Sequence, residues 1–135
     1  MTLGAVSNGT INVRINDSLN YQTLVRFGAA FTDSSAFLMN RVKSYSTSMY
    51  NTMLADLFNT STGVGLAYWR IPMGTSDFTE AAAHWTPDDV IAGGSDPTAN
   101  FALTSHDTGH IIPVIRDALA VNANLATVAS ARPDA

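Results

Sequence analysis

The chain has 135 residues, 46% of them hydrophobic, with a mean hydropathy of +0.09, which excludes a disordered segment and is enough for one domain with a real core. Charged residues make up only 13%, against about 25% in an average globular chain, a thin surface charge that fits a secreted protein or a piece of a larger body. The net charge is −4 and the seven basic residues are scattered, so nucleic acid is not an expected partner.

With no cysteine, disulfides, thiolate catalysis and cysteine metal sites are excluded. The amino end lacks the basic start and long apolar stretch of a signal peptide. No apolar run reaches the ~18 residues that a membrane-spanning helix needs. Glycosylation sequons stand at Asn8, Asn16 and Asn59.

In chain order, Ile11, Val13 and Ile15 alternate with polar residues and predict a half-buried strand. Residues 16–18 are turn chemistry, and 21–24 are expected as a second short strand. Residues 27–31 read as a buried strand whose polar end, Thr32-Asp-Ser-Ser35, doubles as a helix cap. A helical region over 35–58 should break near 44–48, with Ser46 or Thr47 capping the second piece. Residues 64–71 predict the next strand, followed by a long loop over 79–102. A third helix is expected over 113–121, with Pro113 near its first turn, and a last strand over 125–129. Strands alternating with helices imply a parallel sheet, so the fold class is α/β.

The chemistry concentrates at strand ends. The carboxylates are ten aspartates and one glutamate, Glu80. Asp33 follows the first core strand and Asp77 the second, which puts both on one face of a parallel sheet. Asp33 reads equally as a helix cap and as a ligand contact. Asp77 with Phe78 suits a sugar, which offers hydroxyls at its rim and C–H groups on its faces. Arg70 stands inside an apolar run, so an acidic group is expected to face it. Trp85 and Asp88-Asp89, in the long loop, offer a substrate rim as the minority reading against a solvated turn. His106 and His110 could share a helical face, but the nearby proline and the lack of a third ligand count against a metal site. There is no GxSxG elbow and no GxGxxG or Walker loop.

Three ordered runs carry a family likeness: Phe27-Gly-Ala-Ala-Phe-Thr-Asp-Ser-Ser35, Trp69-Arg-Ile-Pro-Met-Gly-Thr-Ser-Asp-Phe78 and Ile111-Ile-Pro-Val-Ile-Arg-Asp-Ala-Leu119. Together they resemble glycoside hydrolase family 30, the family of glucosylceramidases and fungal endo-β-1,6-glucanases. The resemblance implies a retaining β-glycosidase on a (β/α)8 barrel with a β-rich side domain. It makes residues 1–24 part of that side domain and residues 25–135 an incomplete barrel of about three βα units, an amino-terminal fragment. It also implies a secreted enzyme acting on a β-glucoside, as carbohydrate or glycolipid, with no cofactor or metal. Asp77 matches the family's aspartate that binds hydroxyls of the terminal sugar, Phe78 the aromatic beside it, and Arg70 the arginine close to the catalytic carboxylates.

The departures are equally specific. Arg26 stands where the family has glycine, which puts the local turn in question. The family's acid/base and nucleophile are glutamates on later strands. Glu80 matches neither, so no catalytic residue is assigned and the chain alone is expected to be inactive. The rival expectations are a sugar-binding α/β module without catalysis, or an unstable product of a truncated gene. Uncovered sheet edges are expected to favour self-association.

Overall fold

The computed structural model describes residues 15–88 and 101–131. Three parallel strands, β1 (Gly28–Ala30), β2 (Tyr68–Met73) and β3 (Ala126–Ala131), form one sheet in the order β1-β2-β3. Helices α1 (Asp33–Tyr45) and α2 (Thr47–Phe58) connect the first pair of strands. A π-helical turn (Asp107–Ile111) running into α3 (Ile112–Val121) precedes the last strand. The fold is α/β, as expected, and the arrangement is what three successive units of a (β/α)8 barrel would build. Among the described residues no helix is long and apolar enough to cross a membrane.

Local chemistry explains the joints. Thr32 caps α1, its Oγ1 accepting from the Ser35 N–H at 3.1 Å, while Asp33 adds a negative charge to the first turn. Ser46 separates the two helices alone. Its N–H donates to the Val42 carbonyl at 2.8 Å and closes α1, and its Oγ accepts from the Met49 N–H at 3.2 Å and opens α2. At Gly28 a side chain would collide with the Tyr68 carbonyl oxygen, so only glycine lets β1 and β2 approach there. Pro72 lies beyond the last pairing of β1 with β2, where a missing N–H removes no bond to β1.

One face of the sheet lies under the helices. Trp69, 3% exposed, stacks on Phe31 at 4.1 Å and meets Phe58 edge-on at 4.6 Å. Tyr50, Leu54, Val114, Ala118 and Leu125 complete that layer. Tyr50 Oη donates to Asp117 Oδ2 at 2.8 Å and Lys43 Nζ approaches the same oxygen at 2.6 Å, so one carboxylate ties the three helices together. On the opposite face the register aligns Ala30, Arg70 and Val128, and all three are exposed.

Three expectations need correction. Residues 21–24 are not a strand, since no neighbouring strand offers them a ladder among the described residues; residues 11–14 lie outside the described ones. The strand expected over 64–71 starts later because its first residues return to the end of α2. The Val64 N–H donates to the Asp56 carbonyl at 2.7 Å and the Leu66 N–H to the Leu57 carbonyl at 2.9 Å. Arg26 does not disturb the turn. Its Nη1 donates to the carbonyls of Asn124 at 2.7 Å and Ala67 at 3.3 Å, joining the approaches to β3 and β2.

Candidate functional site

The carboxyl ends of the three strands enclose an open cavity of about 400 Å³. Thr32, Arg70, Ser76, Asp77, Phe78 and Ser130 contribute to its wall. All three strands thus reach it, β1 through the Thr32 that follows it, β2 through Arg70 and β3 through Ser130. This is where an open parallel sheet presents its ligand-binding groups.

The wall is formed by a turn held from two sides. Gly74, at φ +93°, bends the chain away from β2 in a conformation that favours glycine. Thr75 follows, buried, and its N–H donates to the Trp85 carbonyl at 2.9 Å. The Ser76 hydroxyl donates to Asp33 Oδ1 at 2.7 Å. These anchors leave Asp77 and Phe78 exposed at the mouth, with Phe78 73% exposed. An aromatic face and a carboxylate thus stand side by side in solvent at the mouth.

The structure thus brings Arg70, Asp77 and Phe78 to one cavity. Arg70 is exposed, not buried, and lines the same cavity as Asp77. Its guanidinium donates to Ser130 Oγ at 3.4 Å. The strand face carrying Arg70 is uncovered among the described residues, so the charge meets solvent and does not depend on the buried acidic partner expected of it.

Two other candidates fall elsewhere. Asp33 is 1% exposed and does not line the cavity; Thr32 is the cap, and Asp33 positions Ser76 instead. Trp85 is 6% exposed and belongs to the core, so it is no substrate rim. The loop doubles back, which puts the Trp85 carbonyl against Thr75 and its indole face against His106, with centroids 4.8 Å apart. Asp89 lies outside the described residues.

A second polar group escaped the sequence reasoning. Glu80, His106 and His110 converge, each offering a ligand atom within 4.8 Å of the others, and none of the three lines the cavity. The histidine pair was legible from its spacing. Glu80 was not, because it stands 26 residues from His106 along the chain.

Comparison with known proteins gives a consistent result. The profile of the glycosyl hydrolase family 30 TIM-barrel domain matches residues 24–134. Among curated relatives are Caenorhabditis elegans proteins whose names class them with the glucosylceramidases. Number 1 is 32% identical over 117 residues, covering 87% of this chain and 21% of its own length. Number 4 is 29% identical over 113 residues, covering 84% and 20%. The chain therefore spans about a fifth of the length of the curated relatives it matches. Among solved structures, an endo-β1,6-glucanase superposes with a TM-score of 0.70 at 30% identity, covering 86% of this chain and 23% of that one. SrfJ from Salmonella typhimurium superposes with a TM-score of 0.66 at 24% identity, over 82% of this chain and 23% of that one, a likeness of fold alone.

Proposed function

The chain belongs to glycosyl hydrolase family 30, and from that premise we propose that it forms one wall of the sugar site of a retaining β-glycosidase and does not itself cleave the bond. The observation that carries this reading is the cavity at the strand ends. It combines a guanidinium, an aromatic face and one carboxylate, Asp77, with no second carboxylate among the described residues of its lining. Retention requires two carboxyl groups about 5–5.5 Å apart, one as acid/base and one as nucleophile. A single aspartate meets half of that demand at most. The chain's one glutamate, Glu80, lies away from the cavity against His106 at 3.1 Å.

In this proposal a terminal glucose lays its C–H face on Phe78 and its hydroxyls on Asp77. Arg70 supplies positive charge toward the place where the glycosidic carboxylates belong. The substrate class is a β-glucoside, either glucosylceramide or a β-1,6-linked glucan, as the names of the relatives indicate. Residues 25–135 form the barrel portion, residues 1–24 belong to a β-rich side domain, and the protein acts outside the cell. The match of the family profile to residues 24–134 supports the division.

The test has two arms. The purified chain is expected to release no glucose from a chromogenic β-glucoside or from β-1,6-glucan above a blank. Hydrolysis above that blank would overturn the non-catalytic part. Calorimetric titration with β-1,6-linked glucose oligomers is expected to show weak, saturable binding that Asp77→Ala removes. Absence of binding, or equal binding by the variant, would overturn the assigned wall.

A further inference from the structure

We propose that Glu80, His106 and His110 form a binding site for a divalent transition cation of the Zn2+ class, tying the loop after β2 to the helix before β3. This goes beyond the sugar-site reading and does not depend on it.

The donor set is two imidazoles and one carboxylate, the nitrogen–oxygen chemistry that Zn2+ accepts, and it leaves a fourth position for water. The spacing is close to what the ion needs. Bonds of about 2.0–2.1 Å in tetrahedral geometry hold neighbouring donors about 3.3 Å apart. His106 Nδ1 and Glu80 Oε1 are already 3.1 Å apart. The three donors fall within 4.8 Å of one another, so about 1.5 Å of side-chain movement closes the set. Glu80 is on a loop, which makes that movement inexpensive.

The surroundings hold the rings in place. The indole of Trp85 stacks on His106 with an interplanar angle of 8°, and Phe37 meets His110 edge-on at 5.3 Å. Asn40 Nδ2 donates to the His110 carbonyl at 3.0 Å, fixing the backbone that carries the ring. Both histidines belong to the π-helical turn or its cap, an irregularity often found where a helix carries function. His110 Nδ1 is buried without a hydrogen-bond partner among the described residues. A buried nitrogen left unpaired is unfavourable, and a cation bound at Nδ1 would give it the partner it lacks.

The plain rival is a His–Glu ion pair that binds no metal, with side chains about a quarter exposed at 26% and 23%. An ion pair explains His106 and Glu80, and the four-residue spacing brings His110 beside His106, but neither gives the buried His110 Nδ1 a partner. The consequence of metal binding is specific. Glu80 stands two residues after Phe78, so the ion would fasten the segment that presents Asp77 and Phe78.

The experiment uses the full chain stripped of metal with a chelator, titrated with ZnCl2 by calorimetry and with Co2+ by visible absorption. One Zn2+ per chain is expected, together with the d–d absorption of tetrahedral Co2+. Loss of a ligand in Glu80→Gln or His110→Ala should weaken Zn2+ binding by about tenfold or more. His84→Ala, in the same loop but outside the trio, should bind as the parent does. If His110→Ala fails to fold, Glu80→Gln decides, because it changes a loop side chain without changing its size. No saturable binding, or equal binding by Glu80→Gln and the parent, would overturn the proposal.

Discussion

The two faces of the sheet differ in what completes them. On the helix side Trp69 finds Phe31 and Phe58 within the same chain, and the layer closes. On the other side, one residue along in β2, the Arg70 guanidinium donates to Ser130, while Tyr68 and Val128 remain in contact with solvent. Arg70 and Ser130 apart, the open face of the strands is also built of small and apolar residues. The contrast is in closure. The covered face holds the aromatic stack, and the open face leaves its side chains in solvent.

The largest expected effect breaks the covered face. Trp69→Ala deletes the ring on which both aromatic contacts depend and leaves a cavity, a change that costs about 3–5 kcal/mol in buried aromatic positions. Against a small unit of marginal stability, that is expected to abolish a cooperative urea transition. An unchanged transition midpoint would show that the helices do not depend on this stack.

A smaller effect tests the joint among the three helices. Burial, and then the hydrogen bond and charge of Asp117, push the Tyr50 phenol above its ordinary value of 10.0. For Asp117 burial alone would raise the carboxyl, but the hydrogen bonds from Lys43 and Tyr50 and the Lys43 charge bring it below 3.8. The raised phenol contributes stability that is fully present below pH 10.0 and declines as pH rises beyond it. The lowered carboxyl contributes stability present above pH 3.8 and lost as pH falls. Tyr50→Phe is therefore expected to cost about 1–2 kcal/mol at neutral pH, and to flatten the alkaline limb of the profile more than the acid one. Lys43 is 41% exposed, so its share is screened and removing it should matter less. Melting temperatures across pH for the two proteins check the sign.

How much of this was legible in the sequence follows the same division. The helix joint at Ser46 was readable because capping is local chemistry. The parallel sheet was readable because strands alternate with helices. Asp77 and Phe78 stood out because a polar and aromatic tip on an apolar strand has no packing explanation. The orientation of Arg70 was not readable. A parallel strand covered on both faces reads as a continuous apolar run, and nothing in such a run says which face lacks a cover. Trp85 was misplaced because a loop tryptophan beside acidic residues looks like a rim, whereas its burial depends on the chain returning to Thr75. Glu80 joins His106 only through that same return, so the cluster exists in space and not in spacing.

The smallest expected change in stability comes from the open face, and it is the one that tests the contrast most sharply. Arg70→Ala and Val128→Lys alter side chains that pack on nothing in the helix layer, so each should shift stability by about 0.5 kcal/mol or less. Association should respond differently. Tyr68 and Val128 present apolar surface, and β1 and β3 each leave an edge unpaired among the described residues. An uncovered face of this kind, flanked by free edges, promotes pairing between copies. Sedimentation of the parent is expected to depend on concentration. In Val128→Lys, whose charge would have to be buried against a second copy, that dependence should weaken. If the variant associates as strongly as the parent, contacts run through the edges and not the face. If the parent is monomeric at all concentrations, the open face is stable in water, and its exposed groups need no partner to keep them soluble.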